Sequence, residues 1–152
     1  MQNKKVVAAA MLIGALALIV SGCGSKKKSY SASKAEFGAA ASSICATFNK
    51  KSDELAMESI EDIATKGDDF LALVEDAVKK TKGLGDPPAE LKSYLDDYFA
   101  QNDKAIALFK QLIEAAKAKD EAKVQSLSEQ ISPINDAMDA DAKALGATAC
   151  LN

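Results

Sequence analysis

The sequence predicts an all-α fold, an up-and-down four-helix bundle in one domain over residues 34–152. Three observations predict it. Apolar residues recur at spacings of three and four from Phe37 to Leu145. No stretch sustains a period of two, so no strand is indicated. Capping, glycine and proline signals cut the pattern into helix-length pieces.

Ser33-Lys34-Ala35-Glu36 matches a capping box, with serine at the cap and a glutamate three residues on. Phe37, Ala41, Ile44, Cys45 and Phe48 then share one helical face. Leu55, Ile60 and Ile63 either continue that helix or form a short second piece, and Gly67 ends the region. Asp68 or Asp69 caps the second helix, whose apolar face is Phe70, Leu71, Val74, Ala77 and Val78. Lys79, Lys80 and Lys82 complement the dipole in its last turn. Gly83-Leu84-Gly85 fits a Schellman stop, and Pro88 can open the next helix.

In the third helix, Leu91, Tyr94, Leu95, Tyr98, Phe99, Ile106, Phe109, Leu112, Ile113 and Ala116 occupy an arc of about 140°. The turn is expected at Lys117–Asp120, because an unbroken helix there would exceed about 40 residues. The last helix carries Val124, Leu127, Ile131, Ile134, Met138, Ala142 and Leu145. Pro133 is expected to kink it, the alternative being that Ser132 caps and Pro133 starts a separate helix. Gly146 ends it, ahead of Cys150.

The segment before the domain has another character. Lys4 and Lys5 precede an uncharged apolar run, Val6 to Val20, of 15 residues. A helix needs roughly 20 to span a bilayer core, which makes a permanent span short. A basic start, an apolar centre and small residues before a cut describe an export signal. Val20-Ser21-Gly22-Cys23 resembles the bacterial lipobox: an aliphatic residue, two small ones, then a thiol for lipid attachment. The expectation is a signal peptide over 1–22, lipid on Cys23 and a lysine- and serine-rich tether over 23–33. An ordinary cut after Ala15-Leu16-Ala17 is the alternative, and it would leave Cys23 as an odd thiol in an oxidising compartment. Two or more acyl chains, at about 0.8 kcal/mol per buried methylene, give stable anchoring. Lys26, Lys27 and Lys28 could add about 1 kcal/mol each near an anionic surface.

Composition removes several function classes. With 48% apolar residues the chain can build a core. All 22 acids but only 14 of the 19 lysines lie from Lys34 onward, leaving the domain at about −8. Nucleic-acid binding rests on neutralising phosphates, so no nucleic-acid partner is expected. The chain has no arginine and no histidine. Ser-His and Cys-His pairs, the usual zinc sets and bis-His haem are therefore excluded. Cys45 and Cys150 remain as an even pair in an exported protein, which reads as a disulfide, the alternative being two separate buried thiols. Closing a loop of about 100 residues stabilises by up to about 4.7 kcal/mol in the chain-entropy account.

Few side chains suggest chemistry. Glu54, Glu58 and Glu61, with Asp62 beside them, have the spacing of one helical face and could hold a hard cation; a solvated acidic face is the plainer reading. Asp136, Asp139 and Asp141 read the same way, and the EF-hand spacing is absent. Tyr94, Tyr98 and Phe99 could line an apolar ligand pocket, or pack as core with their phenols at the rim. No serine sits in a Gly-x-Ser-x-Gly setting, and no cofactor or metal site and no enzyme activity are expected.

The lipobox, the lysine-serine tether, FGAAASSICATFN at 37–49, LGDPPAELKSY at 84–94 and ALGATAC at 144–150 together resemble a group of small actinobacterial lipoproteins. That resemblance implies a helical envelope protein, outside the cytoplasmic membrane, with a cysteine in its first helix and another at its end. It carries over no catalytic residue. Such proteins often have a glycine before the last helix, where this chain has Lys119-Asp120. The functional expectation is a non-catalytic binding module, lipid-anchored at Cys23 on the extracytoplasmic face, with an envelope protein or wall polymer as partner. The alternative is a carrier of a small apolar ligand held in the bundle core. A two-lobed solute receptor would need a longer chain.

Overall fold

A computed structural model describes residues 33–151. The expected signal peptide, the lipidated Cys23 and the tether up to residue 32 lie outside the described residues, as does Asn152. The described residues form four helices, α1 Lys34–Leu55, α2 Ile60–Lys82, α3 Lys92–Lys117 and α4 Glu121–Leu145. One-turn 3-10 segments lie at Ala89–Leu91 and Thr148–Cys150. Among the described residues there is no strand, and no helix is long and apolar enough to cross a membrane.

Local chemistry sets most boundaries. The Ser33 hydroxyl accepts from the Glu36 N–H at 3.2 Å and starts α1 where expected. Lys119 adopts a left-handed φ of 57°, and Asp120 accepts from the Lys123 N–H at 3.0 Å. The α3–α4 turn thus forms at its expected place without a glycine. At Gly146, φ is 76°. Its N–H reaches the Lys143 carbonyl, and the Ala147 N–H reaches Ala142, the paired bonds of a Schellman end.

Two expected boundaries move. Gly67 does not end a helix, and neither Asp68 nor Asp69 is a cap: all three lie inside α2. The break falls earlier, at Ala56, which is left-handed with φ 47°. Ser59 then opens α2 with a reciprocal box, accepting from the Asp62 N–H while the Asp62 carboxylate accepts from the Ser59 N–H, both at 3.1 Å. Lys66 also pairs with Asp62, at 2.7 Å. That pairing, followed by the Ser59 bond, holds the Asp62 carboxyl down to about 2. Ile60 and Ile63 therefore belong to α2 rather than to α1. Gly67 is buried for a packing reason: a Cβ there would lie 2.6 Å from Cγ1 of Ile113 on α3.

The other shifts are smaller. Gly83 keeps a right-handed φ of −73°, so the Schellman end expected there is absent, and the left-handed glycine is Gly85 at φ 91°. Helix α4 runs through Pro133 as one element, so no separate helix starts there. The proline ring leaves the Glu129 carbonyl without its intrahelical donor.

Short connections place sequence neighbours side by side. Two ion pairs show the sense of α2 against α3: Lys110 meets Glu75 at 3.4 Å and Lys117 meets Asp68 at 3.0 Å. As one helix advances the other retreats, so the two are antiparallel. Helices α1 and α4 touch only sparingly; α1 is instead covered by the C-terminal turn. There Cys150 is bonded to Cys45, with Cα atoms 5.0 Å apart, so the cysteines are joined rather than separate. The Asn49 amide also donates to the Ala149 carbonyl at 2.9 Å.

The core lies in two clusters. One gathers Phe37, Ala41, Leu91, Leu95, Leu145 and Ala147, flanked by Leu84, Tyr98, Phe99 and Cys150. The other gathers Leu112, Ala115, Ala116, Val124 and Leu127, flanked by residues that include Phe109 and Ile131. Burying a large apolar side chain such as Phe37 or Leu91 contributes about 1.5–3 kcal/mol. The exposed ion pairs add little beside this.

Glycine-to-alanine changes test the close approaches. In an open helix the change is favourable by about 1 kcal/mol. Here Gly67→Ala should destabilise by about 1–3 kcal/mol, because the new methyl strikes Ile113. Gly38→Ala should cost at least as much. Its Cβ would meet the Gly146 and Leu145 carbonyls at 2.7 and 2.8 Å, and backbone cannot rotate away. Urea unfolding of both variants measures this, and stabilisation by either would refute the contacts. Reduction of Cys45–Cys150 should lower stability by about 3–5 kcal/mol, given a loop of 105 residues. An unchanged melting temperature after complete reduction would remove the staple's role.

Candidate functional site

Between the two core clusters the bundle does not close. A cavity of about 260 Å³ lies there, neither sealed nor flat, bounded by all four helices and the C-terminal turn. Its apolar walls include Phe48 of α1, Phe70 and Val74 of α2, Ile106 and Phe109 of α3, and Ile131 and Met138 of α4. All of these side chains are only half-buried. Each sits at a core position of its helix by sequence spacing. The void keeps them from being covered.

Helix register positions the walls. Phe48, Phe70 and Phe109 form a chain of rings, with centroids 5.7 Å apart for the first pair and 5.0 Å for the second. Tilted and edge-on contacts of this kind favour the ring quadrupoles. They line α1, α2 and α3 along one side of the cavity. Ala77 and Ala105 also line it, and their short side chains leave space where larger ones would meet.

Five polar side chains line the cavity. Asn102 is 7% exposed and donates to the Tyr98 carbonyl at 3.0 Å. Thr81, also 7% exposed, donates to the Ala77 carbonyl at 2.9 Å. Asn49 is held by Ala149. The Tyr98 phenol is raised above its ordinary range, first by burial, with the Asn102 amide opposing and the Asp139 charge adding. The fifth is Asn135, half-buried on α4, whose amide makes no hydrogen bond within the described residues. No buried side-chain nitrogen or oxygen among the described residues lacks a partner.

Of the three residues singled out as a possible pocket, Tyr98 lines this cavity. Tyr94 is 43% exposed and points elsewhere. Phe99 packs on the Phe37 cluster, with the Lys82 ammonium 5.0 Å from its ring centroid. Cys45 and Cys150 form part of the wall. Sequence reading missed Asn102 and Asn135. Asn102 did carry a signal: it follows Tyr98 by four residues within the apolar arc of α3, where a polar side chain must find a partner.

The acidic groups do not converge. Glu54 lies near the end of α1, Glu58 in the connection, and Glu61 and Asp62 in the first turn of α2. The helix break at Ala56 removes the single face that their spacing suggested. Asp136, Asp139 and Asp141 lie on α4. The Asp141 carboxyl is raised, by burial first and then by the Asp97 charge. Among the described residues no three cysteines or acids are grouped to hold a metal ion. Comparison with known protein families, with curated proteins and with solved structures gives no match.

Proposed function

We propose that the chain is a lipid-anchored envelope protein whose bundle is a non-catalytic binding module, carrying a small apolar ligand in its central cavity. The cavity carries this reading. Protein interiors are packed to crystal density, and voids larger than a water are few. A void of about 260 Å³ approaches the lower end of ordinary ligand pockets, about 300 Å³. An apolar cavity of about 150 Å³ already takes benzene. Docking to an envelope protein or wall polymer finds less support. Tyr94 is the one large apolar side chain exposed among the described residues, and the surface around it is charged. The domain's charge of about −8 also argues against nucleic acid. Anchoring through Cys23 rests on the leader and lipobox alone.

Two measurements test the parts separately. Native mass spectrometry of the exported chain should show adduct mass that gentle activation removes. Ala105→Phe should abolish the adduct while leaving the melting temperature equal or higher, because the ring fills the void. A bare chain whose stability no small apolar molecule raises would refute the carrier. Cys23→Ala should leave the precursor uncut or release the protein from membranes. Normal cleavage with full membrane retention would refute the anchor.

A further inference from the structure

The walls of the cavity also select a class of occupant, an inference that rests on the carrier reading. Among the described residues, none that lines it is a lysine, an aspartate or a glutamate. A charged group placed there would leave water without a counter-charge, which costs far more than moving a neutral amide. One acid, Asp139, acts on the Tyr98 phenol at the wall. Several lysines are engaged elsewhere: Lys82 on Phe99, Lys80 with Asp76 and Lys110 with Glu75.

The polar and apolar parts of the lining are segregated. Tyr98 and Cys150 flank the Phe37 cluster, and Phe109 and Ile131 flank the Leu112 cluster. Thr81 borders the same small gap as Tyr98, Cys45 and Cys150, and Asn102 lies one turn from Tyr98. One end of the cavity therefore offers Thr81, Tyr98 and Asn102 beside the disulfide. The other end offers the Phe70 and Phe109 rings and Ile131. Thr81 and Asn102 give a hydrogen to the backbone and keep acceptor lone pairs. Among the described residues, nothing engages the Asn135 amide, which has two donors and an acceptor.

We infer that the cavity takes an uncharged amphiphile, a short hydrocarbon or ring bearing a neutral hydrogen-bonding group. That group sits at the Thr81–Asn102 end, toward Asn135, which lies one turn from Asp139, the acid that acts on Tyr98, and the hydrocarbon lies against Phe70 and Phe109. Fatty acids and alkylamines of the same shape are excluded by the charge they would bring.

The test compares three probes of matched chain length: hexanamide, hexanoate and hexylammonium. The exported full chain, in phosphatidylcholine nanodiscs, is titrated calorimetrically at neutral pH against empty nanodiscs. Hexanamide should bind at least tenfold more tightly than either ion. Asn135→Leu should weaken hexanamide about tenfold, the loss of one well-placed hydrogen bond, and leave toluene binding unchanged. Asn135→Ser is the second variant, and the melting temperature of each confirms its fold. Hexanoate or hexylammonium binding as well as hexanamide would overturn the class while leaving the carrier intact. Equal loss of toluene in both variants would overturn the role of Asn135. If neither toluene nor any of the three probes binds, the carrier itself falls, and this inference with it.

Discussion

The covalent link from Cys45 to Cys150 holds together a bundle whose first and last helices barely meet. Helix α1 packs along α2 on one side. On the other it is covered by a single turn of C-terminal chain, joined by the disulfide and by the Asn49–Ala149 bond. Without that turn, α1 would have one packed flank and one open flank. Both sulfur-bearing residues also line the cavity, so the staple is at once a restraint on the unfolded chain and a piece of wall.

The void follows from how the helices are pinned. Near each end, small residues let backbones approach closely. Gly38 meets the Leu145–Gly146 backbone at one end, and Gly67 meets Ile113 with Ala115 and Ala116 nearby at the other. Such contacts set helix separation and leave little freedom to adjust it. Between them the chain supplies phenylalanine rings that chain along one side, with Ala77 and Ala105 also in the lining. The centre cannot collapse without breaking the ends. A ligand that fills it would recover dispersion contacts that the empty walls lack.

Charge divides this molecule into two regions. The domain's surface is acidic overall, while its cavity lining carries uncharged amides, a hydroxyl and a phenol. Burial alone keeps charge out of the cavity, since an ion there would need a partner that the walls do not provide.

Helix identity was legible because its causes are local. A period of 3.6, the Ser33 cap and the Gly146 stop each act within a few residues. The cysteine pairing followed from there being two of them within the domain. Gly67 was misread because a glycine in a helical pattern has two meanings, a stop or a close contact, and only the side chain opposite decides between them. Ser59 was missed because its box closes with aspartate instead of the usual glutamate or glutamine. The cavity was hidden for a deeper reason. Phe109 and Leu112 occupy equivalent positions in the apolar arc of α3, yet one faces a void and the other a packed cluster. Sequence by itself determined that the chain is helical, which faces turn inward, and the ends marked by Ser33 and Gly146. Tertiary structure alone decided how closely those faces meet, because that distance depends on side chains brought together from four helices at once.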